Sequence, residues 1–197
     1  MHKDTPRQLV HLSGLIFVFI GLHLNRSSSA IMFFGVAVFF YLYGEYVSRS
    51  KPIFGLRRLA FFFEKRKSSR PFSGALWFYI GSGISFALFP LMIAVASSAI
   101  LAVGDSFSTM FGLNFGKHKL VGEKSVEGSG AFLIGAFLIA LLFLKPSIAF
   151  AGAFTGMLVE AFIPPKLGGK KTHWFLDDNL LIPIVSGAVI FVLSLLI

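Results

Sequence analysis

The alternation of long apolar runs with charged or turn-rich segments sets the frame of this chain. Runs at residues 9–24, 30–47, 74–89, 91–109, 128–144, 147–163 and 180–197 predict membrane-spanning helices. Several contain about 16 residues, short of the ~20 that a span ordinarily needs, so tilt or local thinning of the bilayer is expected. Pro90 divides the third run from the fourth and Pro146 the fifth from the sixth, which predicts tight hairpins at both places. Residues 53–63 are too short to cross and carry Arg57 and Arg58 in their middle, so they are expected to lie flat on the membrane interface with their Phe side chains in lipid. The expected fold is all-α: a polytopic integral membrane protein of about seven transmembrane helices, forming one catalytic domain over residues 1–197.

Composition supports that pattern. With 55% hydrophobic residues, 25 Phe and only 14% charged residues, the chain has more apolar surface than a soluble domain can hide. The first run follows a short basic start but no small-residue cleavage pattern, and reads as a retained span. No Cys is present, which excludes disulfides and Cys-containing zinc sites, and the five His show no metal-ligand pairing four residues apart. Any metal is therefore expected to be a hard cation on carboxylates.

Charge gives orientation. With the amino terminus cytoplasmic and the carboxyl terminus outside, 16 of the 18 Lys and Arg fall on the inner side, leaving only Arg26 and Lys145 outside. The net charge of +9 is then a topology signal and an attraction to anionic lipid; it does not imply nucleic acid.

The polar residues at the inner ends of the runs carry the candidate chemistry. Asp105 sits at the end of the fourth run, where an ionisable group is costly and usually functional, most simply as a Mg²⁺ ligand holding phosphate oxygens. If the helix continues, Asp105, Ser108, Gly112 and Gly116 share one face, and the glycines allow close approach of a ligand or of another helix. Lys119 follows, and then Lys124, Ser125, Glu127 and Gly128 lead into the fifth run, a Lys and Ser at a helix start that could cradle phosphate. The plainer alternative makes Ser125 a helix cap and Lys124 a topology lysine. Glu127 adds a second acid near Asp105. Asp178 or Asn179 is expected to cap the last helix. Glu160 and Glu45 are acids at membrane depth that could pair with an inner Arg. Arg70 opens the third run as a basic turn suited to phosphate or to topology, and His11 lies one helical turn from Arg7.

Taken in order, Asp105-x-x-Ser108-x-x-x-Gly112-x-x-x-Gly116 followed by Lys124-Ser125-x-Glu127-Gly128 resembles the nucleotide-binding signature of the CTP-dependent lipid kinases: dolichol kinase, phytol kinase and the CTP-using diacylglycerol kinase. That family is similar in turn to phosphatidate cytidylyltransferase. Arg7 with His11, Arg70-Pro71 with Gly74, and Glu160 with Asp178-Asn179-Leu180 and Pro183 extend the resemblance over most of the chain. The Ser-Pro of the cytidylyltransferase branch is missing before Lys124, which favours kinase.

The resemblance implies transfer of the γ-phosphoryl group of CTP to a membrane-embedded lipid alcohol: a polyprenol or dolichol, a phytol-type alcohol, or diacylglycerol. It implies Mg²⁺ on Asp105 with Glu127, charge neutralisation by Lys124 with Lys119 or Arg70, and Asp178 or Glu160 as acceptor of the hydroxyl proton. The nucleotide would lie against Ser108, Gly112, Gly116, Ser125, Gly128 and Asn179. A prokaryotic plasma membrane with a cytoplasmic active site is expected. The alternatives are a phosphatidate-type cytidylyltransferase and a small cation-coupled transporter using Asp105, Glu160 and Glu45.

Overall fold

A computed structural model of the chain describes residues 5–49, 72–122, 124–163, 166–167, 170–171 and 177–196. The flat helix expected at 53–63, together with Arg70, His173 and Trp174, lies outside the described residues, as do the side chains of Arg7 and His11.

The described residues form seven α-helices: α1 (Thr5–His23), α2 (Arg26–Arg49), α3 (Ser73–Leu88), α4 (Leu91–Phe115), α5 (Val126–Ala140), α6 (Pro146–Phe162) and α7 (Asp178–Leu196). Between α6 and α7, the short strands β1 (Lys166–Leu167) and β2 (Lys170–Lys171) pair antiparallel. Helices α2, α4 and α7 are long and apolar enough to cross a membrane; α3, α5, α6 and residues 13–23 of α1 are apolar but shorter.

Each boundary has a local cause. Pro90 begins α4, its carbonyl accepting the N–H groups of Ile93 and Ala94 at 3.0 Å, while Pro146 occupies the first turn of α6, where its missing N–H costs nothing. The fifth apolar run was expected to stay helical through Leu144, but α5 ends at Ala140 and the chain turns. Residues 141–144 tighten into turns bonded three and four residues back, and Pro146 then holds Lys145 extended at ψ 146°. By contrast, α4 continues past Thr109 to Phe115. Its late polar residues satisfy themselves on their own helix: Ser106 Oγ donates to Ala102 O and Asn114 Nδ2 to Met110 O, both at 2.7 Å.

Helix α4 is the centre of the bundle, packed against α1, α3, α5, α6 and α7. Its small residues Ala94, Ala96, Ala99 and Ala102 are fully buried and let the surrounding helices come close. The large core side chains come from those neighbours: Phe78 and Phe86 from α3, Phe132 from α5, Ile182 and Ile190 from α7, with Phe33 from α2. Outward faces are apolar as well, with Ile31, Leu42, Leu142 and Leu195 at 60–72% exposure. Such a surface is matched by lipid and not by water.

Candidate active site

Four helix ends meet at one end of the bundle: the last turns of α4 and α6, and the first turns of α5 and α7. Between α4 and α5 the chain makes a hairpin. Lys119 bridges Ser125, Leu120 N–H donates to Lys124 O at 2.9 Å, and the turn uses Gly122 at φ 60°, a conformation that suits glycine. The hairpin delivers Lys124 and Ser125 to the start of α5. Ser125 caps that helix, its Oγ accepting the Gly128 N–H at 3.1 Å.

The glycines of the signature explain how closely α4, the hairpin and α5 fit. A Cβ on Gly128 would lie 3.0 Å from Ser108 O and 3.3 Å from Gly112 Cα. One on Gly116 would meet Gly112 O and lie 2.7 Å from Ser125 Oγ. Gly112 and the Ser108 carbonyl face the start of α5, as does Gly116 just past the end of α4, while the Ser108 hydroxyl turns to α6.

From this start Lys124 reaches into a pocket of carboxylates. Its Nζ hydrogen-bonds Glu160 Oε1 and lies 3.5 Å from Asp178 Oδ2. Glu160, on α6 and 1% exposed, also accepts Ser108 Oγ at 2.9 Å on the same oxygen. Asp105, likewise buried, is near enough to act electrostatically on Lys124, Glu160 and Asp177. Burial opposes the Lys124 charge, but Asp178, Glu160 and Asp105 outweigh it and hold the ammonium above the ordinary lysine pKa. The Lys124 ammonium thus joins the start of α5 to the ends of α6 and α7.

Asp177 is a member of this group that sequence reasoning passed over in favour of Asp178. Its Oδ1 accepts both the backbone N–H of Asn179 at 3.0 Å and Asn179 Nδ2 at 3.2 Å. Burial, reinforced by the adjacent Asp178 carboxylate, raises Asp177 to about 7. The available signal was the Asp177-Asp178-Asn179 run itself; which acid turns inward depends on where α7 begins. Asn179 is held in place by Gly81 of α3, where a Cβ would stand 2.8 Å from the carbonyl oxygens of Asn179 and Leu180.

Glu127 makes a different set of contacts. It accepts the backbone N–H groups of Lys117 at 3.2 Å and His118 at 3.3 Å, and His118 Nδ1 lies 2.6 Å from its Oε1. Asp105 acts electrostatically on Lys124, Glu160 and Asp177, while Glu127 takes the Lys117 and His118 N–H groups. Lys119 is exposed on the hairpin. Glu45 pairs with Arg49 at 2.5 Å, the Arg pairing foreseen for an acid at that depth.

Two buried oxygens in the group, Glu160 Oε2 and Asn179 Oδ1, have no hydrogen-bond partner among the described residues. Among the described residues no three His, Asp or Glu side chains come together as a closed metal cage. Carboxylate and amide oxygens nonetheless suit Mg²⁺, which uses one or two carboxylates when phosphates and water complete its shell. The donor set is one that a hard cation accepts.

Three known proteins are similar to this chain. The chain is 28% identical over 148 residues to CTP-dependent diacylglycerol kinase 1 of Schizosaccharomyces pombe, a match covering 66% of this chain and 64% of that protein. It is 22% identical over 186 residues to an uncharacterized protein of Rickettsia prowazekii, covering 92% of this chain and 90% of the other. It is also 39% identical over 119 residues to an uncharacterized protein of Methanocaldococcus jannaschii, covering 59% and 57%. The chain thus spans less than two thirds of the length of the fission-yeast kinase. No family model matches it, and no solved structure does.

Proposed function

We propose that this protein is a CTP-dependent lipid kinase of the membrane, and that residues 1–197 act as one catalytic domain whose seven helices cross the bilayer with the polar cluster on the cytoplasmic face. The observation that carries the reading is Lys124, a half-buried ammonium held by Glu160 beside Asp178 at the start of α5. The likeness to the fission-yeast kinase supports it.

Phosphoryl transfer requires positioning and charge neutralisation more than covalent help from the protein. Lys124 supplies a fixed positive charge to the phosphates of CTP, and Glu160 with Ser108 fixes where that charge stands. Asp105, with Glu160 Oε2 nearby, would hold Mg²⁺, whose contribution when bound is to neutralise charge on the phosphate oxygens. Asp178 has 18% of its side chain exposed, more than Glu160, and would accept the proton of the lipid hydroxyl. The acceptor is a membrane alcohol, for which a polyprenol or dolichol is the first choice and diacylglycerol or a phytol-type alcohol the next.

The test is turnover by purified protein with labelled CTP or ATP, Mg²⁺ and a panel of polyprenols, phytol, diacylglycerol and phosphatidic acid. Formation of a lipid monophosphate with CTP preferred, lost with EDTA and restored by Mg²⁺, is expected. Pyrophosphate release with phosphatidic acid would make the protein a cytidylyltransferase, and nucleotide-independent ion flux in vesicles would make it a transporter.

A further inference from the structure

On the outer side of the α4–α5 seam runs a groove of about 290 Å³, lined by Phe107 and Phe111 of α4 and by Glu127, Gly130, Ala131 and Ile134 of α5. From Glu127 to Ile134 it is about 10 Å long, at 1.5 Å per helical residue. Its walls are apolar except at the end nearest the hairpin, where Glu127 lies three residues after Lys124. Phe107 and Phe111 stack with centroids 5.9 Å apart and form one continuous aromatic wall. At the far end the Phe107 ring closes on Gly135, where a Cβ would lie 2.8 Å from it.

Gly130 stands out among the glycines at this seam. Gly104, Gly116, Gly128 and Gly135 each have protein atoms 3.0 Å or less from the place a Cβ would take, whereas at Gly130 no described atom lies within 4 Å. Glycine inside a helix is ~1 kcal/mol worse than alanine, so close packing does not account for this one. What its missing side chain provides is width in the groove.

We infer that this groove holds one hydrocarbon chain of the acceptor lipid, with its head end toward the hairpin that carries Lys124 and the tail running toward Ile134. The inference rests on the lipid-kinase reading and adds where that lipid lies. A chain seated here enters sideways from the bilayer, and its head end stops at the hairpin from which Lys124 reaches Glu160 and Asp178. Glu127, fixed by the Lys117 and His118 N–H groups, marks the polar end and prevents a tail from entering in reverse.

The experiment compares the full chain with Gly130→Leu, which improves helix propensity and fills the groove, and with Gly35→Leu, an equally open glycine on α2. The first readout is photo-cross-linking with a long-chain primary alcohol carrying a mid-chain diazirine, mapped by peptide. Labelling should concentrate at residues 107–111 and 130–134 and fall at least fivefold in Gly130→Leu but not in Gly35→Leu. The second is turnover: Gly130→Leu should raise the KM for a long-chain acceptor at least tenfold, leaving the KM for CTP and the use of a short-chain alcohol unchanged. Label spread evenly over the outer faces of α2 and α7, or unaffected by Gly130→Leu, overturns the groove even if the protein proves to be a kinase. Groove labelling that responds to Gly130→Leu, without phosphorylation of any alcohol, keeps the hydrocarbon site and overturns the kinase reading.

Discussion

Removing Lys124 is the sharpest perturbation the bundle offers. In Lys124→Ala, Glu160 keeps only the Ser108 hydroxyl and faces Asp105 and Asp178 without the cation that stands among them. Breaking one side of a buried ion pair costs ~3–5 kcal/mol. Because 21% of the Lys124 side chain is exposed, the lower end applies, about 3 kcal/mol. For a chain of this size 1 kcal/mol moves Tm by roughly 2–4 °C, so a fall of roughly 6–12 °C is expected. Thermal unfolding in detergent at pH 7 measures it. The double variant Lys124→Met with Glu160→Gln removes both charges and should recover most of the lost stability, while kcat stays down by about 10²–10³-fold for want of the phosphate-neutralising charge. A Lys124→Ala protein that melts with the wild type, or a double variant whose loss equals the sum of the two single losses, would refute the ion pair as the organiser of this site.

Asp177 gives a pH signature. Its folded pKa, raised to about 7 from an ordinary value near 4, means that its contribution to stability is complete below about pH 4 and lost as pH rises through 7. Asp177→Asn should flatten that part of the Tm–pH curve, and an unchanged curve would contradict the burial argument. Gly81→Ala should lower both Tm and turnover, by ~1–3 kcal/mol in stability, because its Cβ would press on the Asn179 and Leu180 carbonyls; Gly35→Ala, with open space around it, is the comparison that should show no loss. Ser125→Ala should cost ~1 kcal/mol as a lost cap and leave the KM for CTP within about twofold. A tenfold rise in that KM would instead make the Ser125 hydroxyl a phosphate ligand.

The helices and their spacing were legible in the sequence because hydrophobic runs and prolines act locally: a long apolar stretch in lipid must satisfy its own backbone and so forms a helix, and Pro90 and Pro146 interrupt the run. The continued face of Asp105, Ser108 and Gly112 followed in the same way from helical geometry. Partnership was not legible. Lys124 and Glu160 are 36 positions apart, and nothing local distinguishes a lysine that faces lipid headgroups from one that reaches between helices. Only the packing of α5 against α4 and α6 brings their charges together. The same packing sends Glu127 to the Lys117–His118 backbone, turns Asp177 into the cluster beside Asp178, and leaves Gly130 with no described atom near the place of a Cβ. Acids alike in sequence acquire different roles because the depth and direction of each side chain are set by neighbours far along the chain, and burial and charge act on those positions alone.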